Sequence, residues 1–211
     1  MGPVICMVTP ARPPTPESDR ALVDRIGAAA RSGVHLVQIR QRGWEGGVLA
    51  RLVAGAVLAV RGTRARVLVN DRLDVALAAD AHGVHLRSDS ISAPRVRHVA
   101  PPGFIVGRSV HSLEEAEEAA CGGGLDYLIF GTVFSTSSKP DARCAGVGPL
   151  VECCAHVALP VLAIGGVVPE RLGLIGGSGA AGFAAIGLFA DCPVDELPSL
   201  ITRASDAFGK P

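Results

Sequence analysis

His111 sits in Ser109-Val110-His111-Ser112, between the apolar run Phe104-Ile105-Val106-Gly107 and the helix-like segment Leu113-Glu114-Glu115-Ala116-Glu117-Glu118-Ala119-Ala120. That context puts an imidazole, which titrates near neutral pH, on a strand-to-helix turn where it can reach a ligand. Other apolar runs also end in polar chemistry. Gln38 and Arg40 are two apart on one strand, so they share a face, and an arginine beside a glutamine can grip a carboxylate or phosphate with two parallel bonds. The competing reading for Arg40 is an internal salt bridge with Asp71 or Glu45. Asn70-Asp71 closes the next run and reads equally well as the cap of the helix that follows, which would account for Asp71 completely.

Thr136, Ser138 and Lys139 bring two hydroxyls and a cation to a later loop, where they suit an anionic ligand or a solvated surface. Gly165-Gly166 follows Val161-Leu162-Ala163-Ile164, and Gly187 follows Ala184-Ala185-Ile186. Bare backbone N–H groups after the last two strands of a barrel bind phosphate, and a side chain would block the approach. His85, in Gly83-Val84-His85-Leu86, lies inside a strand and reads as a hydrogen-bonded core histidine. His35, His82, His98 and His156 carry no motif.

The elements that must position these residues alternate. Strands are expected at Val4 to Val8, Leu36 to Arg40, Val67 to Asn70, Gly83 to Leu86, Phe104 to Ser109, Tyr127 to Val133, Val161 to Ile164 and Phe183 to Ile186. Helices are expected at Ser18 to Arg31, Glu45 to Val60, Leu73 to Ala79, Pro94 to Val99, Ser112 to Cys121, Gly148 to Ala155, Pro169 to Ile175 and Val194 to Ala207. Crossovers of this length return the chain in the same direction, so the sheet is parallel, and eight units close most simply into a single-domain α/β (β/α)8 TIM barrel over residues 1–211. A doubly wound open sheet competes, but no GxGxxG follows the first strand. The irregular stretch from Ser135 to Gly148 is expected to be a mobile loop over the site.

Composition limits the partners. Twenty basic and twenty acidic side chains cancel, so no global field draws nucleic acid or an anionic membrane, and an anion must be held locally. No apolar stretch approaches the length of a membrane span and Met1 to Pro10 is too short for a secretory signal, so a cytoplasmic protein with a small-molecule substrate is expected. The six cysteines, Cys6, Cys121, Cys144, Cys153, Cys154 and Cys192, form no CxxC pair and read as reduced structural thiols, with no zinc or redox cofactor.

Together these residues resemble the thiamin phosphate synthase superfamily of (β/α)8 barrels, and within it the thiazole tautomerase (TenI) branch. The resemblance runs from Val4 to about Pro193 and rests on Val37-Gln38-Ile39-Arg40, Val69-Asn70-Asp71-Arg72, Ala81-His82-Gly83-Val84-His85-Leu86, Asp126-Tyr127, Phe130-Gly131-Thr132-Val133-Phe134, Thr136-Ser137-Ser138-Lys139 and Ala163-Ile164-Gly165-Gly166. Synthases of the superfamily join a pyrimidine pyrophosphate to a thiazole phosphate, with Mg²⁺ held by an aspartate after strand three and another after strand four in a pattern like Gly-Val-His-Leu-Gly-Gln-Glu-Asp. Here the sequence reads Gly83-Val84-His85-Leu86-Arg87-Ser88-Asp89-Ser90, so Ser90 takes the second metal position and Asp89 comes one residue early. The lysine of the synthase Gln-x-Arg-x-Lys pattern is Arg42.

The tautomerase branch carries a Ser-Val-His-Ser-Leu-Glu-Glu-Ala type of segment that matches Ser109 to Ala116. The resemblance implies a thiazole tautomerase, an isomerase without metal or cofactor. His111 would move the proton that aromatises a thiazole carboxylate phosphate, and Ser109 or a water would orient the substrate. Arg40 or Lys139 would take the carboxylate, with Gln38, Asn70, Thr136 and Ser138 also lining the substrate. Gly165, Gly166, Ile186 and Gly187 would cradle the phosphate. Related barrels often form dimers, and the resemblance extends that expectation of a homodimer to this chain. Two alternatives stand beside this expectation: a Mg²⁺-dependent thiamin phosphate synthase using Asp71 and Asp89, and a non-catalytic protein that senses a thiamin precursor.

Overall fold

The computed structural model describes residues 2–136 and 144–209. Eight strands close into one parallel barrel in sequence order: β1 (Val4–Val8), β2 (Leu36–Ile39), β3 (Arg66–Asn70), β4 (Gly83–Leu86), β5 (Ile105–Val110), β6 (Tyr127–Phe130), β7 (Val161–Ile164) and β8 (Gly182–Ala185). The last strand returns to the first, with Val4 opposite Gly182 and Met7 opposite Ala185. The expected barrel is therefore the observed one, and each expected strand is present, though the second and eighth end one residue earlier and the sixth three.

Among the described residues the helices are α1 (Pro16–Arg31), α2 (Gly46–Ala59), α3 (Leu73–Ala78), α4 (Ala93–Val99), α5 (Leu113–Cys121), α6 (Val147–His156), α7 (Leu172–Gly176), α8 (Gly187–Ala190) and α9 (Leu197–Phe208). Single 3₁₀ turns lead into α7 at Pro169–Arg171 and into α9 at Val194–Glu196. The helix after β8 was not expected, because four residues are too few to show a helical period. It is held from outside: the Arg25 guanidinium on α1 donates to the Phe189 and Cys192 carbonyls at 2.8 and 2.6 Å.

Strand alternation sorts the side chains into two cores. Outward residues such as Ile5, Met7, Val37, Val67, Val84 and Phe183 pack under the helices. Inward residues Cys6, Val8, Leu68, Tyr127, Ile129, Leu162 and Ala184 fill the barrel itself. Burial away from water pushes the inward Cys6 thiol up to about 12, so it stays a neutral packing group, and all six cysteines are free thiols. His35 and His82 stand one residue before β2 and β4, where each Nδ1 accepts a neighbouring strand's backbone N–H, from Ile5 at 3.1 Å and Val67 at 3.0 Å. They seal the N-terminal end of the barrel. Among the described residues no helix is long and apolar enough to cross a membrane.

Filling so narrow an interior requires a glycine where the one tyrosine lies. A Cβ on Gly107 would come within 2.2 Å of Tyr127 Cζ, so β5 gives up a side chain to let the ring cross the barrel. Gly107→Val should lower unfolding free energy by about 3 kcal/mol or displace the ring. Urea unfolding followed by circular dichroism measures the loss, and wild-type stability in the variant would refute this packing.

Candidate functional site

The upper inward layer is polar. Gln38, Asn70, His85 and Ser109 come from four consecutive strands and line a cavity of about 970 Å³ at the C-terminal mouth of the barrel. Ligand sites of (β/α)8 barrels occupy this end, and the volume lies at the upper end of the range for small-molecule pockets. Gln38 Nε2 donates to Asn70 Oδ1 at 2.8 Å. The other end of that amide, Gln38 Oε1, is buried and has no hydrogen-bond partner among the described residues. Such an acceptor is costly unless a ligand supplies a donor.

His85 is buried and bridges two hydroxyls, with Nδ1 2.9 Å from the Tyr127 hydroxyl and Nε2 2.9 Å from Ser109 Oγ. Burial, and to a lesser degree the charge of Arg108, pulls it from its ordinary 6.5 down to about 3. It is a neutral, satisfied histidine, as its place inside a strand implies, and it fixes Ser109 at the cavity floor.

His111 follows β5 directly and also lines the cavity. Its backbone N–H donates to Glu115 Oε2 at 2.9 Å, while Ser112 caps α5 by accepting from Glu115 N at 3.2 Å. The ring Nδ1 bonds to the Gly131 carbonyl, which can only accept, so the neutral ring carries its hydrogen on Nδ1 and leaves a lone pair on Nε2.

Arg40 and Arg42 line the mouth after β2, and among the described residues neither forms an ion pair. The two partners weighed for Arg40 are engaged elsewhere. Glu45 caps α2, accepting from Gly47 N at 2.9 Å and Val48 N at 3.0 Å, and Asp71 faces Arg87 at 3.5 Å. Burial, then the like charge of Arg42, lowers the affinity of Arg40 for its proton, a strain that a bound anion relieves.

Asp71 is not a helix cap. It has a positive φ of 65°, and the N-cap residue of α3 is Arg72, without a side-chain cap bond. Its carboxylate instead accepts from the Ser90 hydroxyl and from Arg87, whose other nitrogen pairs with Asp89. The Arg87 guanidinium thus stands between the two aspartates nearest to the synthase metal positions. These residues do not fit a two-carboxylate Mg²⁺ site, and among the described residues no three His, Cys, Asp or Glu side chains are grouped to hold a metal.

Gly165 and Gly166, with φ of 105° and 60°, line the opposite wall. A Cβ on Gly165 would lie 2.5 Å from Thr132 Cγ2, and one on Gly166 would lie 2.4 Å from the Ser135 carbonyl oxygen. Glycine is required here by the loop that follows β6, whose Val133 and Phe134 N–H groups bond to the Ile164 and Gly165 carbonyls at 2.9 and 3.1 Å. Ile186 and Gly187 adjoin this wall, and so does Arg171, which sequence reading passed over. Arg171 donates to the Gly166 carbonyl at 2.9 Å and stacks 4.8 Å above the Phe134 ring. Thr136 lines the cavity; Ser138 and Lys139, and half of the loop expected to be mobile, lie outside the described residues.

The chain matches the family model described as thiamine monophosphate synthase over residues 5–189. The chain belongs to this family. It is 38% identical to the thiamine-phosphate synthase of Roseiflexus castenholzii over 187 residues, covering 88% of this chain and 80% of the relative. It is 34% identical to that of Chlorobium luteolum, covering 97% of each. The solved thiamine phosphate pyrophosphorylase of Pyrococcus furiosus superposes with a TM-score of 0.83 at 29% identity, covering 97% of this chain and 96% of that one.

These relatives overturn the expectation of a thiazole tautomerase. The two sequence relatives are named as synthases and the solved structure as a pyrophosphorylase, which are transferases and not isomerases. The Ser-Val-His-Ser turn therefore does not identify the tautomerase branch. Its polar residues also have structural work: Ser112 and Glu115 fasten the start of α5, and Ser109 holds His85.

The neutral state of His85 has a measurable consequence. Its folded affinity for protons is depressed, so its contribution is present in full above about pH 6.5 and is lost as pH falls toward 3. Urea titrations of wild type and His85→Asn should converge by about 1.4 kcal/mol for each pH unit below the ordinary histidine range. A gap independent of pH would mean that His85 binds protons freely in the folded chain.

Proposed function

We propose that this chain is a thiamin phosphate synthase, joining a pyrimidine diphosphate to a thiazole phosphate and releasing diphosphate. The observation that carries the reading is a cavity with two anion-binding ends. Arg40, Arg42 and Arg87 stand after β2 and β4, while Gly165, Gly166, Ile186, Gly187 and Arg171 stand after β7 and β8. Two phosphorylated substrates need two such ends, and the volume of about 970 Å³ accommodates both rings between them.

In this reading the pyrimidine lies over Gln38 and Asn70, and the unpartnered Gln38 Oε1 accepts one of its N–H groups. Its diphosphate extends toward the arginines. As the bond to diphosphate breaks, negative charge gathers on the leaving group, and fixed guanidinium groups stabilise that charge more than the ground state. The thiazole phosphate is held by the backbone around Gly165, Gly166, Ile186 and Gly187, with Thr136 also lining the cavity. Positioning the two rings face to face supplies much of the remaining acceleration.

His111 then belongs to the binding wall. With its hydrogen on Nδ1, its Nε2 accepts a hydrogen bond from substrate or an ordered water, and no proton transfer is asked of it. Ser109 keeps its place through His85.

Incubation with the pyrimidine diphosphate and thiazole phosphate, followed by chromatography, should show thiamin phosphate and diphosphate appearing in equal amounts. Arg40→Ala and Gln38→Ala should each lower kcat/KM by about a hundredfold, and His111→Ala by only about tenfold. Absence of coupled product, with or without added magnesium, would refute the synthase reading.

A further inference from the structure

The placement of Arg87 bears on how the diphosphate end is neutralised, an inference that rests on the synthase reading above. One guanidinium serves both Asp71 and Asp89, and Ser90 Oγ, which accepts from Arg87 N at 2.9 Å, donates to Asp71. A divalent cation between these carboxylates would have to break both pairs and sit against a like charge. The Arg87 side chain is half exposed and lines the cavity, and its contact with Asp71 is long, at 3.5 Å, whereas its contact with Asp89 is close. The nitrogen facing Asp71 can turn to a phosphate oxygen while the other stays on Asp89. Arg40, Arg42, Arg87 and Arg171 line the cavity against Asp89 and Asp191, so positive charge is in surplus without a metal.

We infer that the Arg87 guanidinium takes the place of a divalent cation at this mouth, so that the diphosphate end of the substrate is bound by arginines without Mg²⁺. The planar fork of a guanidinium suits phosphate oxygens and cannot lose its charge at neutral pH. Asp89, which carries the pair that persists, is a positioning residue.

Calorimetric titration of the full chain with inorganic pyrophosphate, in EDTA and again in millimolar magnesium, tests this directly. The dissociation constants should agree within about threefold, and Arg87→Ala should weaken binding in EDTA by about tenfold or more. Binding that appears or tightens about tenfold only with magnesium, or that Arg87→Ala leaves unchanged, overturns the inference, as does no binding in either buffer. Should Arg87→Ala fail to fold, the wild-type comparison alone decides. Manganese titration followed by electron paramagnetic resonance is a second measure: wild type should show no saturable micromolar binding, whereas Arg87→Gly combined with Ser90→Asp should gain it. Coupling in excess magnesium separates the two ideas, since turnover there alongside magnesium-dependent pyrophosphate binding overturns this inference and leaves the synthase reading intact.

Discussion

Closure of β8 onto β1 is the constraint from which the rest follows. Once eight short parallel strands form a ring, every strand must send alternate side chains into an interior with no exit at the sides. The lower part of that interior is filled by Cys6, Leu68, Tyr127, Leu162 and Ala184. Polar side chains can then point inward only at the open C-terminal mouth, where a ligand can satisfy them. Gln38, Asn70, His85 and Ser109 lie there and on four adjacent strands, so the ring turns four separate sequence positions into one surface. Tyr127 and Gly107 show the cost of the arrangement, since a tyrosine that reaches His85 requires a neighbouring strand to forgo its side chain.

The mouth also resolves an apparent contradiction in charge. The chain as a whole is neutral, yet its cavity collects Arg40, Arg42, Arg87 and Arg171. A local surplus of this kind acts over a few ångströms and is shielded from the balancing carboxylates elsewhere on the surface. Of the carboxylates at the mouth, Asp89 is paired with Arg87, as is the neighbouring Asp71, and Asp191 stands at the Gly187 end. Electrostatics therefore favours small phosphorylated ligands at one end of the barrel without making the whole surface attractive to polyanions.

The Ser109 to Ala116 segment is too short to distinguish one branch of the superfamily from another. A short turn between strand and helix has few ways to be built, and hydroxyl and carboxylate residues recur there because they cap the helix. His111, Ser112 and Glu115 do that work here, whatever the substrate. Similarity to synthases across almost the entire chain weighs more, because it constrains every loop of the mouth at once. The Arg87, Ser88, Asp89, Ser90 stretch, by contrast, differs from the synthase pattern in charge as well as in order. Its departure from the metal-binding pattern is visible as a guanidinium lodged between two aspartates.

The sequence by itself determined the barrel. Eight apolar runs separated by helical crossovers admit few other closed arrangements, and the ends of those runs marked part of the cavity wall, from Gln38 and Asn70 to Gly165, Gly166 and Gly187. Polar residues at strand ends are legible because they interrupt a hydrophobic period. Only the tertiary structure decided which polar groups meet. That Asp71 would turn to Ser90 and Arg87 rather than cap a helix, that Arg40 would be left without an acidic partner among the described residues, and that Arg171 would reach Gly166 all depend on contacts between loops. Those loops follow different strands. Local propensity acts over a few residues, whereas the ring brings β3 beside β4 and β7 beside β6 through hydrogen bonds that no local pattern encodes.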